Sequence, residues 1–130
     1  MTRLHFQPIQ GKALHIIGAI LQTEQVASLG DEHDIIRLAV EELVVNIVDY
    51  AGSDYLDVEI VRDEKHIMLR FRDNGVPFNP LAKEPPDITL PMEQRRIGGL
   101  GIFLVIKKMD EVGYEYLNGE NVLTVMKKIK

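Results

Sequence analysis

With 130 residues, 45% of them hydrophobic and 27% charged, the chain has the size and composition of one ordinary globular domain, which excludes a disordered or fibrous protein. A net charge of −5 disfavours non-specific binding to nucleic-acid phosphates. The absence of cysteine removes disulfides, thiolate zinc sites and cysteine nucleophiles together.

In chain order, Arg3 to Ile9 alternates weakly and reads as a first strand, ended by Pro8. Leu14, Ile17, Ile20 and Leu21 stand at helical spacing within Lys12 to Leu29, and Gly30 is placed to close that helix. Asp31 then caps a second helix running to about Tyr50, with Asp34 in its first turn. After the turn Gly52-Ser53-Asp54, the segments Tyr55 to Arg62 and His66 to Arg72 alternate as strands joined at Asp63-Glu64-Lys65. From Asp73 to Gly98 no period survives; Pro77, Pro80, Pro85, Pro86 and Pro91 predict a long functional loop. Gly99 to Met109 returns to helix, and Val112 to Leu117 and Val122 to Ile129 are strands around the turn Asn118-Gly119. The order β-α-α-β-β-loop-α-β-β predicts an α+β fold: a two-layer sandwich, its mixed, mostly antiparallel sheet covered on one face by helices.

Several chemistries fail on inventory. Ser28 and Ser53 are the only serines and neither lies in a nucleophile elbow. His5, His15, His33 and His66 are scattered, and Gly11-Lys12 is followed by Ala13, so no P-loop is present. No apolar run approaches the roughly 18 residues of a membrane span, and Met1 to Gln10 lacks a signal-peptide core. A cytoplasmic protein without membrane or nucleic-acid partners is expected.

Three places carry candidate chemistry. Glu42, Asn46 and Asp49 fall within about 60° of one another on a second helix that is apolar nearly all round, though Arg37 and Glu41 also stand on it. A polar stripe there suits a ligand or divalent cation, and it equally suits the wet side of an amphipathic helix. Asp73-Asn74-Gly75-Val76-Pro77 leaves a strand end: either a plain turn or a fixed acceptor carboxylate beside a glycine that admits a ligand. Arg95-Arg96-Ile97-Gly98-Gly99-Leu100-Gly101 opens a helix, which suits phosphate at the free N–H groups or a simple hinge.

Taken in order, the helix Glu41-Glu42-Leu43-Val44-Val45-Asn46, the strand-end Asp73-Asn74-Gly75 and the helix-opening Gly99-Leu100-Gly101 resemble the Bergerat-fold ATPases. Within that group the chain is most similar to the anti-sigma-factor serine kinases of the RsbW and SpoIIAB type, over nearly its whole length. The resemblance implies a single ATPase domain, 1–130, with a nucleotide lid at about 78–98. It implies ATP and Mg2+ as cofactors, Asn46 as metal ligand and Glu42 as general base. Asp73 would accept from the adenine amino group with Gly75 beside the base. Arg95, Arg96, Gly98, Gly99, Leu100 and Gly101 would meet the phosphates. Asp49 stands where many relatives carry histidine, and Asn121 near a threonine that helps hold adenine; both are counted among the nucleotide-binding residues. The implied activity is that of a serine/threonine protein kinase acting on a STAS-type anti-sigma-factor antagonist. A sigma factor and a second copy of the chain are further partners that the resemblance allows. The alternatives are a nucleotide-binding interaction switch without kinase activity, favoured by Pro77 in place of a flexible glycine, and a histidine-kinase catalytic domain running alone.

Overall fold

A computed structural model describes residues 1–79 and 99–130 of the chain. The elements are β1 (Thr2–Phe6), α1 (Ala13–Leu21), α2 (Glu24–Ala27), α3 (His33–Tyr50), β2 (Leu56–Arg62), β3 (His66–Asp73), α4 (Gly99–Lys108), β4 (Glu111–Leu117) and β5 (Glu120–Lys128). The strands form one sheet in the order β1-β2-β3-β5-β4, and all four pairings are antiparallel. The α+β expectation therefore holds.

The period-2 pattern decides which face is dry. Leu56, Val58 and Ile60 of β2, Ile67, Leu69 and Phe71 of β3, and Leu123 and Val125 of β5 are all buried on one face. Against them pack Ile16 and Ile20 of α1, Ile36, Val40, Leu43, Val44 and Ile47 of α3, and Ile102 and Val105 of α4. Each such side chain contributes about 1.5–3 kcal/mol by leaving water. The other face carries charge, such as Arg72 beside Glu59 at 3.7 Å. Arg37 on the exposed side of α3 lies 3.8 Å from Glu41, one turn on. No helix among the described residues is long and apolar enough to cross a membrane.

Local structure departs from the sequence reading at the first helices. The helix expected over Lys12 to Leu29 is two, because Thr23 adopts extended dihedrals (φ −63°, ψ 147°). The Thr23 hydroxyl donates to the Ile20 carbonyl at 2.7 Å, diverting an acceptor that would otherwise serve the ladder. Gly30 is not in the left-handed region, where Gly11, Gly52 and Gly119 are the glycines found among the described residues. The cap of α3 is Glu32 rather than Asp31. Glu32 is buried and accepts from the Lys130 backbone N–H at 3.3 Å. β1 stops at Phe6, before Pro8, which has no N–H for a ladder. The Asn118-Gly119 turn does join β4 to β5, with φ 54° and 79° at its two residues, the signature of a two-residue hairpin. Most of the expected long loop, 80–98, lies outside the described residues.

Candidate functional site

The site is built where β3 ends. Asp73 is the last residue of that strand, paired in register with Asn121 of β5, and only 2% exposed. Its Oδ1 accepts from the Ser53 hydroxyl at 2.5 Å, the Gly75 N–H at 2.9 Å and the Asn121 side-chain amide at 3.1 Å. Its Oδ2 takes no hydrogen bond from the described residues. One carboxylate oxygen is thus tied into the protein, and the other is an acceptor offered to something else.

Gly75 makes this arrangement possible. A Cβ there would lie 2.1 Å from the Ala51 carbonyl oxygen and 2.5 Å from the Ser53 hydroxyl. The Val76 N–H donates to that same Ala51 oxygen at 2.9 Å, so the chain leaving β3 is drawn onto the end of α3. Only glycine fits so close a backbone approach.

Between α3 and this end of the sheet is a cleft with Leu43, Ile47, Ala51 and Leu123 as apolar walls. Its polar points are Asp73, Asn46, Tyr114 and Asn121, and Phe78 also lines it. Asn121 is 4% exposed. Its Nδ2 also donates to the Val76 carbonyl at 2.9 Å, and its Oδ1 accepts from the Phe78 N–H at 3.0 Å and from the Tyr114 hydroxyl. An apolar cleft with a few placed polar groups suits a small organic ligand.

Asn46 is 2% exposed, yet its Nδ2 is buried without a hydrogen-bond partner. An unmet buried donor costs about 1–3 kcal/mol, and a ligand oxygen that accepts from it would relieve it. One turn earlier on α3, half-buried Glu42 has its carboxyl pushed above the usual range, first by burial and then by the charge of Glu41. Its carboxylate rests against the first turn of α4: a Cβ on Gly101 would lie 2.0 Å from Glu42 Cδ and 2.3 Å from each carboxylate oxygen. The acid of α3 and the N-terminus of α4 therefore meet beside Asn46. Among the described residues no three His, Cys, Asp or Glu side chains gather to cage a metal ion. A cation here would take Asn46 together with oxygens supplied by the ligand, the manner in which Mg2+ sits on phosphates.

The structure thus brings Glu42, Asn46, Asp73, Gly75, Gly101 and Asn121 around one end of the helix–sheet seam. Asp49 is exposed and does not line the cleft. Gly99 and Leu100 form the start of α4. Arg95, Arg96 and Gly98 lie outside the described residues. Two participants were missed by sequence reasoning. Ser53 reads as a turn residue and carries no signal of its bond to Asp73. Tyr114 could have been found from parity, since it shares with Val112 the inward register of β4.

Comparison with known proteins agrees with this geometry. Residues 10–127 match the family described as histidine kinase-like ATPase domain. The serine-protein kinase RsbW of Listeria monocytogenes serovar 1/2a is 33% identical over 96 residues, covering 68% of this chain and 61% of that protein. The protein of the same name from Bacillus thuringiensis is 32% identical over 100 residues, covering 72% and 62%. The match thus spans about three fifths of the length of these relatives. Among solved structures, the nucleotide-free catalytic domain of the histidine kinase ThkA superposes with a TM-score of 0.55 at 14% identity, covering 99% of this chain and 98% of that one.

Proposed function

Because the chain belongs to the histidine kinase-like ATPase domain family, we propose that it is an ATP-dependent serine/threonine protein kinase that restrains a sigma factor. Its protein substrate in this reading is a STAS-type anti-sigma-factor antagonist; relatives named serine-protein kinase RsbW support the serine-kinase part of the reading. The observation that carries the reading is the divided carboxylate of Asp73, with Oδ1 held by three donors and Oδ2 left to accept from an adenine amino group. In the proposal residues 1–130 act as one ATPase domain in the cytoplasm, with a second copy of the chain as a further partner.

Each residue has a physical task. Asp73 and the apolar walls hold the base. Asn46 and the phosphates would hold Mg2+, which when bound neutralises phosphate charge. The N-terminus of α4 presents free N–H groups and the positive end of its dipole to the phosphates. Arg95 and Arg96 are proposed as added positive charge. Glu42 accepts the proton of the attacking serine hydroxyl as the serine oxygen bonds to the γ-phosphorus and the bond to the ADP oxygen breaks. A carboxyl raised toward neutrality by burial is a better base for this than a solvated one.

The test is thermal-shift titration with ATP, ADP and GTP, with and without Mg2+, followed by transfer of radiolabelled γ-phosphate to a purified antagonist. A nucleotide at 100 times its dissociation constant adds about 2.7 kcal/mol to stability. No shift with any nucleotide would sink the reading. Tight Mg-ATP binding without transfer to any hydroxyl would leave the nucleotide-binding switch in its place.

A further inference from the structure

Asn121 has no hydrogen-bonding capacity left for a ligand. An amide offers two donor hydrogens and two acceptor lone pairs. Its Nδ2 donates to Asp73 Oδ1 at 3.1 Å and to the Val76 carbonyl at 2.9 Å, with the Gly75 carbonyl at 3.5 Å. Its Oδ1 accepts from the Phe78 N–H at 3.0 Å and from the Tyr114 hydroxyl. The Tyr114 oxygen in turn accepts from the same Phe78 N–H at 3.2 Å. Donors on one side of the amide and acceptors on the other permit a single orientation, with NH2 toward Asp73.

Tyr114 stands at the head of this chain of contacts and lines the cleft from β4, the edge strand. We propose that Tyr114 is a positioning residue for base recognition: through Asn121 it fixes Asp73 so that Oδ2 alone faces the ligand, and it thereby sets the preference for a 6-amino over a 6-oxo purine nucleotide. The proposal rests on the nucleotide-binding reading given above. Its logic is that the divided carboxylate rewards only a donor at the purine 6-position. A loosened Asp73 loses that reward and loses nothing toward a 6-oxo purine, which never received it. Burial holds the Tyr114 phenol above its ordinary range, so the hydroxyl remains a donor at physiological pH.

Tyr114→Phe removes the hydroxyl and keeps the ring that lines the cleft. Affinities for ATP and inosine triphosphate are measured on the full chain by titration calorimetry, with the melting temperature recorded alongside. The expected result is a loss of about 3–10-fold for ATP, the size of one hydrogen bond, with inosine triphosphate affinity unchanged. The ratio between the two nucleotides falls by the same factor. Asn121→Ala supplies the second arm: in that background Tyr114→Phe should change the ratio no further, because the effect runs through Asn121. An equal loss for both nucleotides would make Tyr114 a packing residue only, and an unchanged ratio or additive effects of the two substitutions would also overturn the proposal. Wild-type protein that binds no nucleotide would remove the functional reading itself. Wild type that binds ATP while Tyr114→Phe discriminates normally removes only this inference.

Discussion

Asp73→Asn separates the two oxygens of the carboxylate by chemistry. The three donors on Oδ1, from Ser53, Gly75 and Asn121, leave the replacement amide one acceptable orientation, with its carbonyl toward them. The NH2 group then occupies the place of Oδ2 and meets the ligand's amino group donor to donor. The lost contact is a hydrogen bond to a charged acceptor, about 1.5–3 kcal/mol, which weakens ATP binding roughly 10–150-fold. The fold should survive. Charge-assisted bonds fall to about half strength, but a buried charge no longer has to be desolvated. The two changes oppose each other, and a residual of about 1 kcal/mol corresponds to a shift of roughly 2–8 °C in melting temperature. Calorimetric titration with Mg-ATP, run beside thermal melting of the same preparation, reads both quantities. Unchanged ATP affinity in a folded variant would refute the assignment and leave Asp73 as a turn residue.

The two crowded glycines should answer differently to alanine. At Gly101 the new Cβ meets the flexible end of Glu42, which can swing aside, and helix propensity offsets the strain by up to about 1 kcal/mol; melting should barely change while turnover falls about 10²–10⁴-fold as the base is displaced. At Gly75 the Cβ meets the Ala51 backbone, which cannot swing aside, and Gly75→Ala should destabilise by about 1–3 kcal/mol or more in denaturant unfolding. Glu42→Gln should abolish turnover and raise the melting temperature at neutral pH. The folded-state pKa of Glu42 lies above its unfolded 4.5, so ionisation opposes folding above that value. The gain over wild type should disappear as pH falls to 4.5 and below, and a gain that persisted in acid would show that charge is not its cause.

What could be read from sequence was whatever leaves a periodic or compositional trace. The strands β2 and β3 were legible because Leu56, Val58, Ile60 and Ile67, Leu69, Phe71 alternate with polar residues. The turn at Asn118-Gly119 was legible because few dipeptides tolerate two consecutive positive φ values. Thr23 was not, since one hydroxyl bond to the Ile20 carbonyl ended a helix whose apolar spacing continues beyond it. At the site, Glu42 and Asn46 could be placed on one face from 3.6-residue spacing, but the same rule put Asp49 beside them. Spacing gives the angle around a helix and says nothing of where the neighbouring element stops. Asn46 is covered and Asp49, near the end of α3, is exposed. Ser53 acts through a single long-range hydrogen bond, which has no periodicity to detect, whereas Tyr114 left a trace in the inward parity it shares with Val112.

The two ends of the cleft differ in how complete they are, and the difference has a physical meaning. At the Asp73 end every donor around Oδ1 is matched, Gly75 is locked against Ala51, and Asn121 has spent all its hydrogen bonds. Such a network is rigid, because moving any member leaves a buried polar group unmet. At the Asn46 end the amide Nδ2 is buried without a partner and a carboxylate is held in surroundings that disfavour its charge. Those costs persist in the free protein because the surrounding core enforces them, and they fall on two residues one turn apart on α3, beside the first turn of α4. A ligand that meets both ends is recognised at the first with little rearrangement and relieves strain at the second. A base-bearing phosphate ester has that division of chemistry: flat and apolar with one amino donor at one end, charged and cation-binding at the other. Selectivity then belongs to the rigid end and reactivity to the costly one, so substitutions at Asp73 and at Glu42 should separate binding from turnover.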